Sequence, residues 1–417
     1  MNGPLAGIRG IVLTQAWAGA FCTEMLGLLG ADIVQVEVRK RPDSWRGDYH
    51  APMAKMLQGI PTAEHPWNCN ALYNSVNLNK RCITLDLQTP EGLDVFKRLL
   101  PFADVVAENF SPRVLGNLGL GYDVMKAINP RVILCSLSAY GRGGPWENVP
   151  GIGGTIEPTS GMSALLGYPD GPPMNSGQMY PDAVAGLHAL SAILTALHHR
   201  NRSGHGQYID LSMQEANLVQ IGDAALEYQL TGSIRGRMGN RHHTFAPHGI
   251  FRCAGDDRWV ALACESDDQW GGLCVAAGHD DWRSDPRLAM NDARKANEDA
   301  LEATINVWTR EWDRDALVAH LRNAGVTVAP VLTAQELAAD GRLRERGVVV
   351  EVGHDEAGRW PQVASPLHFS RTPATDVRPA PLLGQHTAEV LSELLGMGRA
   401  DYEQLVAEGI SGMGPPD

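Results

Sequence analysis

The run R-G-I-V-L-T-Q-A-W-A-G-A-F-C-T-E-M-L-G-L-L-G-A-D-I-V-Q-V-E-V, from Arg9 to Val38, decides the fold. Arg9–Thr14 reads as a short buried strand and Ala18–Leu29 as a helix. Asp32–Val38 reads as a second strand, with the alternation Ile33, Gln35, Glu37. Together they make a βαβ unit, which implies parallel strands and a right-handed crossover.

The pattern repeats downstream. Thr89-Pro90-Glu91 starts a helix, with a hydroxyl N-cap and proline at the first helical position. Leu93, Phe96, Leu99 and Leu100 line one face of it before a strand at Asp104–Ala107. Ser111-Pro112 is a second start signal, Tyr122–Ile128 is helical, and Val132–Leu137 is a further strand. The fold class is therefore α/β, with an open Rossmann-like parallel sheet. Tyr140 to Gly177 is rich in glycine and proline and reads as irregular. A long helix follows, with Leu187, Leu190, Leu194 and Leu197 at spacings of three and four. The polar run Arg200–Gln207 reads as a break before a strand at Tyr208–Ser212 and a helix to about Leu230. Near Gly236 the character changes. Gly249–Cys253 and Arg258–Ala263 alternate around Ala254-Gly255-Asp256-Asp257 as an antiparallel hairpin. Charged helices then run from Asn291 to Asn323, giving a smaller α+β domain at 235–335 after a large α/β domain at 1–234. A strand-like Val348–Val352 and a helix His386–Leu395 close the chain.

Bulk properties exclude several functions. The chain has 417 residues, 44% hydrophobic and 20% charged, with a net charge of −13. Two structural units are expected at that length. The acidic balance disfavours a nucleic-acid partner, which needs a basic face. Seven scattered cysteines with no C-x-x-C pair argue against a disulfide framework or a zinc site, and fit a reducing cytoplasm. Ile11–Phe21 lacks the basic n-region of a signal peptide. The apolar stretch Ala183–Leu197 carries His188 and is shorter than the ~20 residues of a membrane span. A soluble protein without membrane contact is expected.

Asp182 is the first candidate for chemistry. It stands in G-Q-M-Y-P-D, from Gly177, just before the apolar helix. A carboxylate there faces unpaired N–H groups and the positive end of the helix dipole, which favours its ionised form. It serves either as a nucleophile or simply as a helix cap, and spacing alone does not separate the two. The loop Thr14–Gly19 lies where α/β sheets bind ligands. It has no G-x-G-x-x-G, and the chain has no P-loop, so an NAD or ATP enzyme is disfavoured. No G-x-S-x-G elbow is present. Basic residues gather at Arg39, Lys40, Arg41 and Arg46, at Lys80-Arg81, and at Arg113, as phosphate ligands or as a solvated surface. His198-His199 and His242-His243 lack metal-ligand spacing, so no metal is expected.

Taken in order, five motifs resemble the class III CoA-transferases, the family of formyl-CoA transferase and the carnitine and bile-acid CoA-transferases. They are P-L-A-G-I-R-G-I-V-L-T-Q-A from Pro4, N-K-R-C-I-T-L-D-L-Q-T-P-E-G from Asn79, and E-N-F-S-P-R-V-L-G-N-L-G-L-G-Y from Glu108. G-N-R-H-H-T-F-A-P-H-G-I-F from Gly239 and P-L-L-G-Q-H-T-A-E-V-L from Pro381 complete the set. The likeness runs nearly end to end. It implies that Asp182 is the catalytic aspartate and that Gln15, Ala16, Leu85, Asn109 and Phe110 line a CoA site. Arg39 would serve the nucleotide phosphates. The chain departs from the family at Val38, where relatives can be basic, and at Asn117, where formyl-CoA transferase has arginine. Arg113 stands at a family glycine, and whether it or Arg39 compensates is open. Tyr140, the Trp45–Gly59 loop, Trp17 and the Gly151–Ser160 loop would shape the acyl pocket, and Gly239 and Asn240 would belong to a mobile loop region over the active site.

The resemblance further implies that residues 336–417 rejoin the large, CoA-binding domain and that two ring-shaped chains interlock as a homodimer. Acyl-CoA and an organic acid are the expected partners, with CoA a substrate and no permanently bound cofactor. Transfer would pass through an aspartyl mixed anhydride and an aspartyl-CoA thioester. The glycines at 151, 153 and 154 leave room for a bulky acyl group or only shape a turn. An α-methylacyl-CoA racemase is the nearest alternative, but Pro150–Thr155 has no histidine to act as the second base. A non-catalytic CoA-binding homologue and a dinucleotide-dependent oxidoreductase are the others.

Overall fold

Six parallel strands lie in the order β3-β2-β1-β4-β5-β6: β1 Arg9–Val12, β2 Asp32–Glu37, β3 Lys80–Thr84, β4 Val105–Glu108, β5 Ile133–Ser138 and β6 Tyr208–Ser212. The computed structural model describes residues 3–47, 49, 64–373 and 376–416. The open parallel α/β sheet expected from Arg9–Val38 is present. The chain forms two compact units, Met1–Met162 with Asn175–Leu230 and Gly341–Asp417, and Ser163–Met174 with Thr231–Asp340.

Alternation along the strands feeds a core on each face of the sheet. Ile11, Val34, Val36, Ile83, Val106 and Leu134 pack in one cluster, whereas Val12, Ile33, Val105, Ala107, Cys135 and Leu137 pack in the other. Helices cover both faces: α1 (Ala18–Leu28), α2 (Pro90–Leu99), α3 (Arg113–Asn117), α4 (Tyr122–Ile128), α5 (Gly153–Thr159) and α6 (Tyr180–Ser203); α7 (Gly222–Thr231) follows and buries no side chain. Thr89 caps α2 by accepting from Gly92 N–H, and Pro90 stands at its start, as its sequence required. A parallel sheet buried on both faces accounts for the near-continuous apolar strands.

Three local expectations are corrected. The Gly/Pro-rich 140–177 stretch is not wholly irregular: it contains α5 and a helical turn at Met162–Leu165. Burial of Ile156 and Glu157 outweighs the poor helix propensity of Gly153 and Gly154. The polar run at Arg200 does not break the helix, because Arg200 is buried with its Nη1 donating to Asp104 Oδ1 at 2.7 Å, and α6 ends only at the left-handed Gly204. Asp182 is not the cap of α6. The cap is Met179, and Asp182 lies inside the first turn.

In the second unit, β7 (His248–Arg252), β8 (Trp259–Ala263) and β9 (Thr327–Pro330) form an antiparallel sheet, with α8 (Asp267–Ala277), α9 (Glu298–Thr309) and α10 (Arg314–Asn323) packed around Trp270, Leu273, Ile305 and Leu317. The returning chain adds the hairpin β10 (Val349–His354) and β11 (Gly358–Val363), then α11 (Thr387–Leu395) and α12 (Arg399–Ala407), to the first unit. Val390 and Leu391 of α11 enter the core beside β3. Among the described residues no helix is long and apolar enough to cross a membrane.

Candidate active site

The strand order reverses at β1. Its chain neighbour β2 lies to one side and β4 to the other, so the loops leaving the carboxyl ends of β1 and β4 part around a crevice, the usual ligand position in such sheets. A cavity of about 330 Å³ opens there. Gln15 and Ala16 after β1, Asn109 and Phe110 after β4, and Asp182 of α6 all line it. These five expected site residues, spread over more than 160 positions of the chain, are brought to one cavity.

Asp182 reaches that cavity because the segment before α6 is pinned. Ser176 N–H and Oγ donate to the buried Glu157 carboxylate at 2.6 and 2.8 Å, and Asn175 Nδ2 donates to Gly154 O at 2.9 Å. Met179 then turns through a left-handed conformation, φ 48°. One carboxylate oxygen, Oδ2, is buried against Gly153 and has no hydrogen-bond partner among the described residues. A Cβ at Gly153 would collide with that oxygen and stand 2.7 Å from Met179 Cβ. Burial pushes the Asp182 carboxyl up to about 6, against the pull of the Ala18 and Asp182 backbone N–H groups. The helix dipole had suggested the opposite direction, but desolvation outweighs it. The group is still mostly ionised at neutral pH, and sparse hydrogen bonding leaves its charge available for attack.

The loops opposite are equally constrained. Asn109 Oδ1 accepts from Gln15 N–H at 2.8 Å and its Nδ2 donates to Gln15 O at 2.8 Å. Phe110 N–H donates to the buried Glu108 carboxylate at 2.8 Å. Trp17 and Trp45 face each other with ring centroids 5.9 Å apart.

Other expected residues stand elsewhere. Leu85 is fully buried in the core beyond β3 and presents no surface to the cavity. Arg39 donates to the carbonyls of Ser411, Gly414 and Pro415, which leaves two of its five N–H groups without a partner among the described residues. Arg113 is exposed at the start of α3. Tyr140 packs edge-on against Trp146, beside Gly151. Gly239 and Asn240 lie in the second unit, where Gly239 N–H donates to Gly167 O at 2.8 Å and Asn240 O meets His248 Nδ1. Of the Trp45–Gly59 loop, residues 48 and 50–59 lie outside the described residues.

Three of the basic residues, Arg46, Lys80 and Arg81, are engaged inside the large unit. Arg46 is buried against Glu37 at 2.8 Å and lies 3.6 Å from the Tyr73 ring centroid. Lys80 is buried on Asn77 and Ala20 O, and Arg81 on Asp32 and Glu393. These cations hold the sheet edge together.

Sequence reasoning missed Met179 and Asp43 at this site, and singled out Gly153 only as room for an acyl group or part of a turn. Asp43-Ser44-Trp45 carries an Asx-turn signal, with Asp43 Oδ1 accepting from Trp45 N–H at 2.9 Å. Nothing local marked Met179.

A family model described as CoA-transferase family III matches residues 5–387. The succinate–glutarate CoA-transferase of Agrobacterium fabrum is 33% identical over 391 residues, covering 94% of this chain and 96% of that protein. The formyl-CoA:oxalate CoA-transferase of Rhodopseudomonas palustris is 31% identical over 436 residues, covering 100% and 99%. The crystal structure of a CAIB/BAIF family protein from Brucella suis aligns with a TM-score of 0.84 at 32% identity, over 94% of this chain and 100% of that one.

Proposed function

This chain belongs to CoA-transferase family III, an enzyme of CoA transfer between acyl-CoA and carboxylic acids, and we propose that the transfer runs through Asp182. What carries the reading is an under-bonded carboxylate at the wall of a cavity that opens at the reversal point of the sheet.

The steps balance without ATP. A carboxylate oxygen of Asp182 attacks the donor thioester carbonyl and the C–S bond breaks, giving a mixed anhydride and CoA thiolate. The thiolate attacks the aspartyl carbonyl, releasing the donor acid and leaving an aspartyl-CoA thioester. The acceptor carboxylate attacks that thioester, thiolate departs, and a second anhydride forms. Thiolate then attacks the acceptor's acyl carbon and restores Asp182. The Ala18 N–H at the start of α1, which donates to the Asp182 carboxylate, is suited to stabilise the oxyanion that forms when thiolate attacks the aspartyl carbonyl.

Gln15, Ala16, Asn109 and Phe110 are the proposed CoA contacts within the large unit. Arg39 and Arg113 are the candidate phosphate ligands and Tyr140 the substrate-side residue; Leu85, sealed in the core, is not one of the contacts. We place the enzyme in the cytoplasm, in keeping with seven free, buried cysteines, and as a homodimer. Supporting the dimer, α7 buries none of its side chains and exposes Leu226, Tyr228 and Leu230.

The relatives named for succinate, glutarate and oxalate make dicarboxylic acids the first panel to assay, with mass detection of the CoA products. Asp182→Ala is expected to abolish transfer with every pair that wild type accepts, while CoA still binds by calorimetry. Substantial turnover by that variant would exclude the mechanism.

A further inference from the structure

The transfer steps use one buried carboxylate at the cavity and leave a second without a task. Asp43 is 1% exposed. Both its oxygens accept from Ala16 N–H at 3.0 Å, and Oδ1 also accepts from Trp45 N–H at 2.9 Å. It makes no ion pair among the described residues.

Its two backbone partners belong to two adjoining loops that line the same cavity. Gln15 and Ala16 form the edge after β1, and Ser44 and Trp45 form the edge beside it, after β2. Asp43 lies behind both and joins them. Ala16 stands at φ 54°, a left-handed conformation that an L side chain enters at a cost, so it needs an external hold. The neighbouring Gln15 is clamped separately by Asn109 on both its N–H and its carbonyl. Burying a carboxylate without a cationic partner is itself unfavourable. Desolvation, with Glu37 nearby, pushes Asp43 up to about 6, against hydrogen bonds from Trp45 and Ala16 and the charge of Arg46. A core satisfied by packing alone would put an apolar residue there. The arrangement makes sense if the geometry of the two edges matters.

We propose that Asp43 is a positioning residue for acyl-CoA: it buckles the Gln15–Ala16 edge to the Ser44–Trp45 edge and so holds the mouth of the cavity at the width the thioester arm needs. This inference rests on the reading of that cavity as the acyl-CoA site.

The test compares wild type, Asp43→Ala, Asp43→Asn and Asp182→Ala in the full-length enzyme. CoA affinity is read by calorimetry, KM and kcat by transfer assay, and folding by cooperative thermal unfolding. Asp43→Ala is expected to weaken CoA binding and raise the KM for acyl-CoA about tenfold or more, with a smaller fall in kcat. Asp43→Asn keeps one acceptor oxygen for Ala16 N–H and should recover part of the loss, which also serves if the alanine variant does not fold. CoA affinity and KM unchanged in either folded variant would overturn the proposal, as would an equal fall in kcat with KM unmoved. Asp182→Ala separates the two claims. If it retains turnover, the nucleophile reading fails, while CoA affinity in the Asp43 variants still reports on the buckle.

Discussion

Asp182, the proposed nucleophile, has a measurable effect on stability. Its carboxyl is raised to about 6 in the folded protein, against about 3.9 in an unfolded chain. Between those values this group binds more protons in the native state than in the unfolded state, so its contribution to stability falls as pH rises through about 4 to 6. Above pH 6 the native state holds a partly desolvated charge. Asp182→Asn removes that charge at nearly constant shape, and should make the protein more stable than wild type at pH 7.5 by about 1–3 kcal/mol. The advantage should shrink towards pH 4, as followed by thermal unfolding across pH. Activity runs the other way. In the proposed mechanism Asp182 must be ionised to attack, so wild-type kcat/KM should fall as pH drops through about 6. A carboxylate before an apolar helix was legible from Gly177 to Leu197. Its burial was not, because Gly153 and Ala18 come from segments remote in the chain.

At the scale of elements, α5 and the segment leading into α6 act as one support. Glu157 holds Ser176, Gly154 O holds Asn175, and Gly153 leaves the space that Asp182 Oδ2 occupies. Gly153→Ala should therefore move the carboxylate rather than merely stiffen a helix. A displacement approaching 1 Å is worth about 100-fold in turnover, and the loss should appear in kcat more than in CoA affinity. Wild-type kcat in that variant would show that Asp182 has room to shift without penalty. Composition concealed this element. Two glycines and Pro158 suppress helix propensity over Gly153–Thr159, and only burial of Ile156 and Glu157 restores it. Arg200 misled in the same way: a polar run ends a helix only when its charges reach water, and Arg200 instead meets Asp104.

For the whole molecule, α7 is the element whose large apolar side chains stay open to solvent. Leu226, Tyr228 and Leu230 are 54%, 55% and 76% exposed on a helix with no buried side chain. A second copy of the chain covering that face would account for them. Paired Leu226→Asp and Leu230→Asp substitutions should shift the enzyme from dimer to smaller species in sedimentation velocity. A wild-type protein that sediments as a monomer at micromolar concentration would remove the dimer from the proposal. The C-terminal segment is bound to the first unit by Arg39, whose guanidinium meets three tail carbonyls. The motif alone does not show this contact, because nothing in the local sequence records that the tail returns there.

The sequence by itself determined the parallel α/β sheet, since strand and helix periods are local and repeat within short windows. It also determined the family, through motifs in fixed order, and singled out Asp182 as the residue to watch. Tertiary structure alone decided what surrounds that residue. The partnerships of Asp43 with Ala16, Gly153 with Asp182, and Arg46 with Glu37 join segments whose spacing carries no periodic signal. Burial, which sets both the pKa of a carboxylate and the fate of a buried cation, arises only when those segments pack.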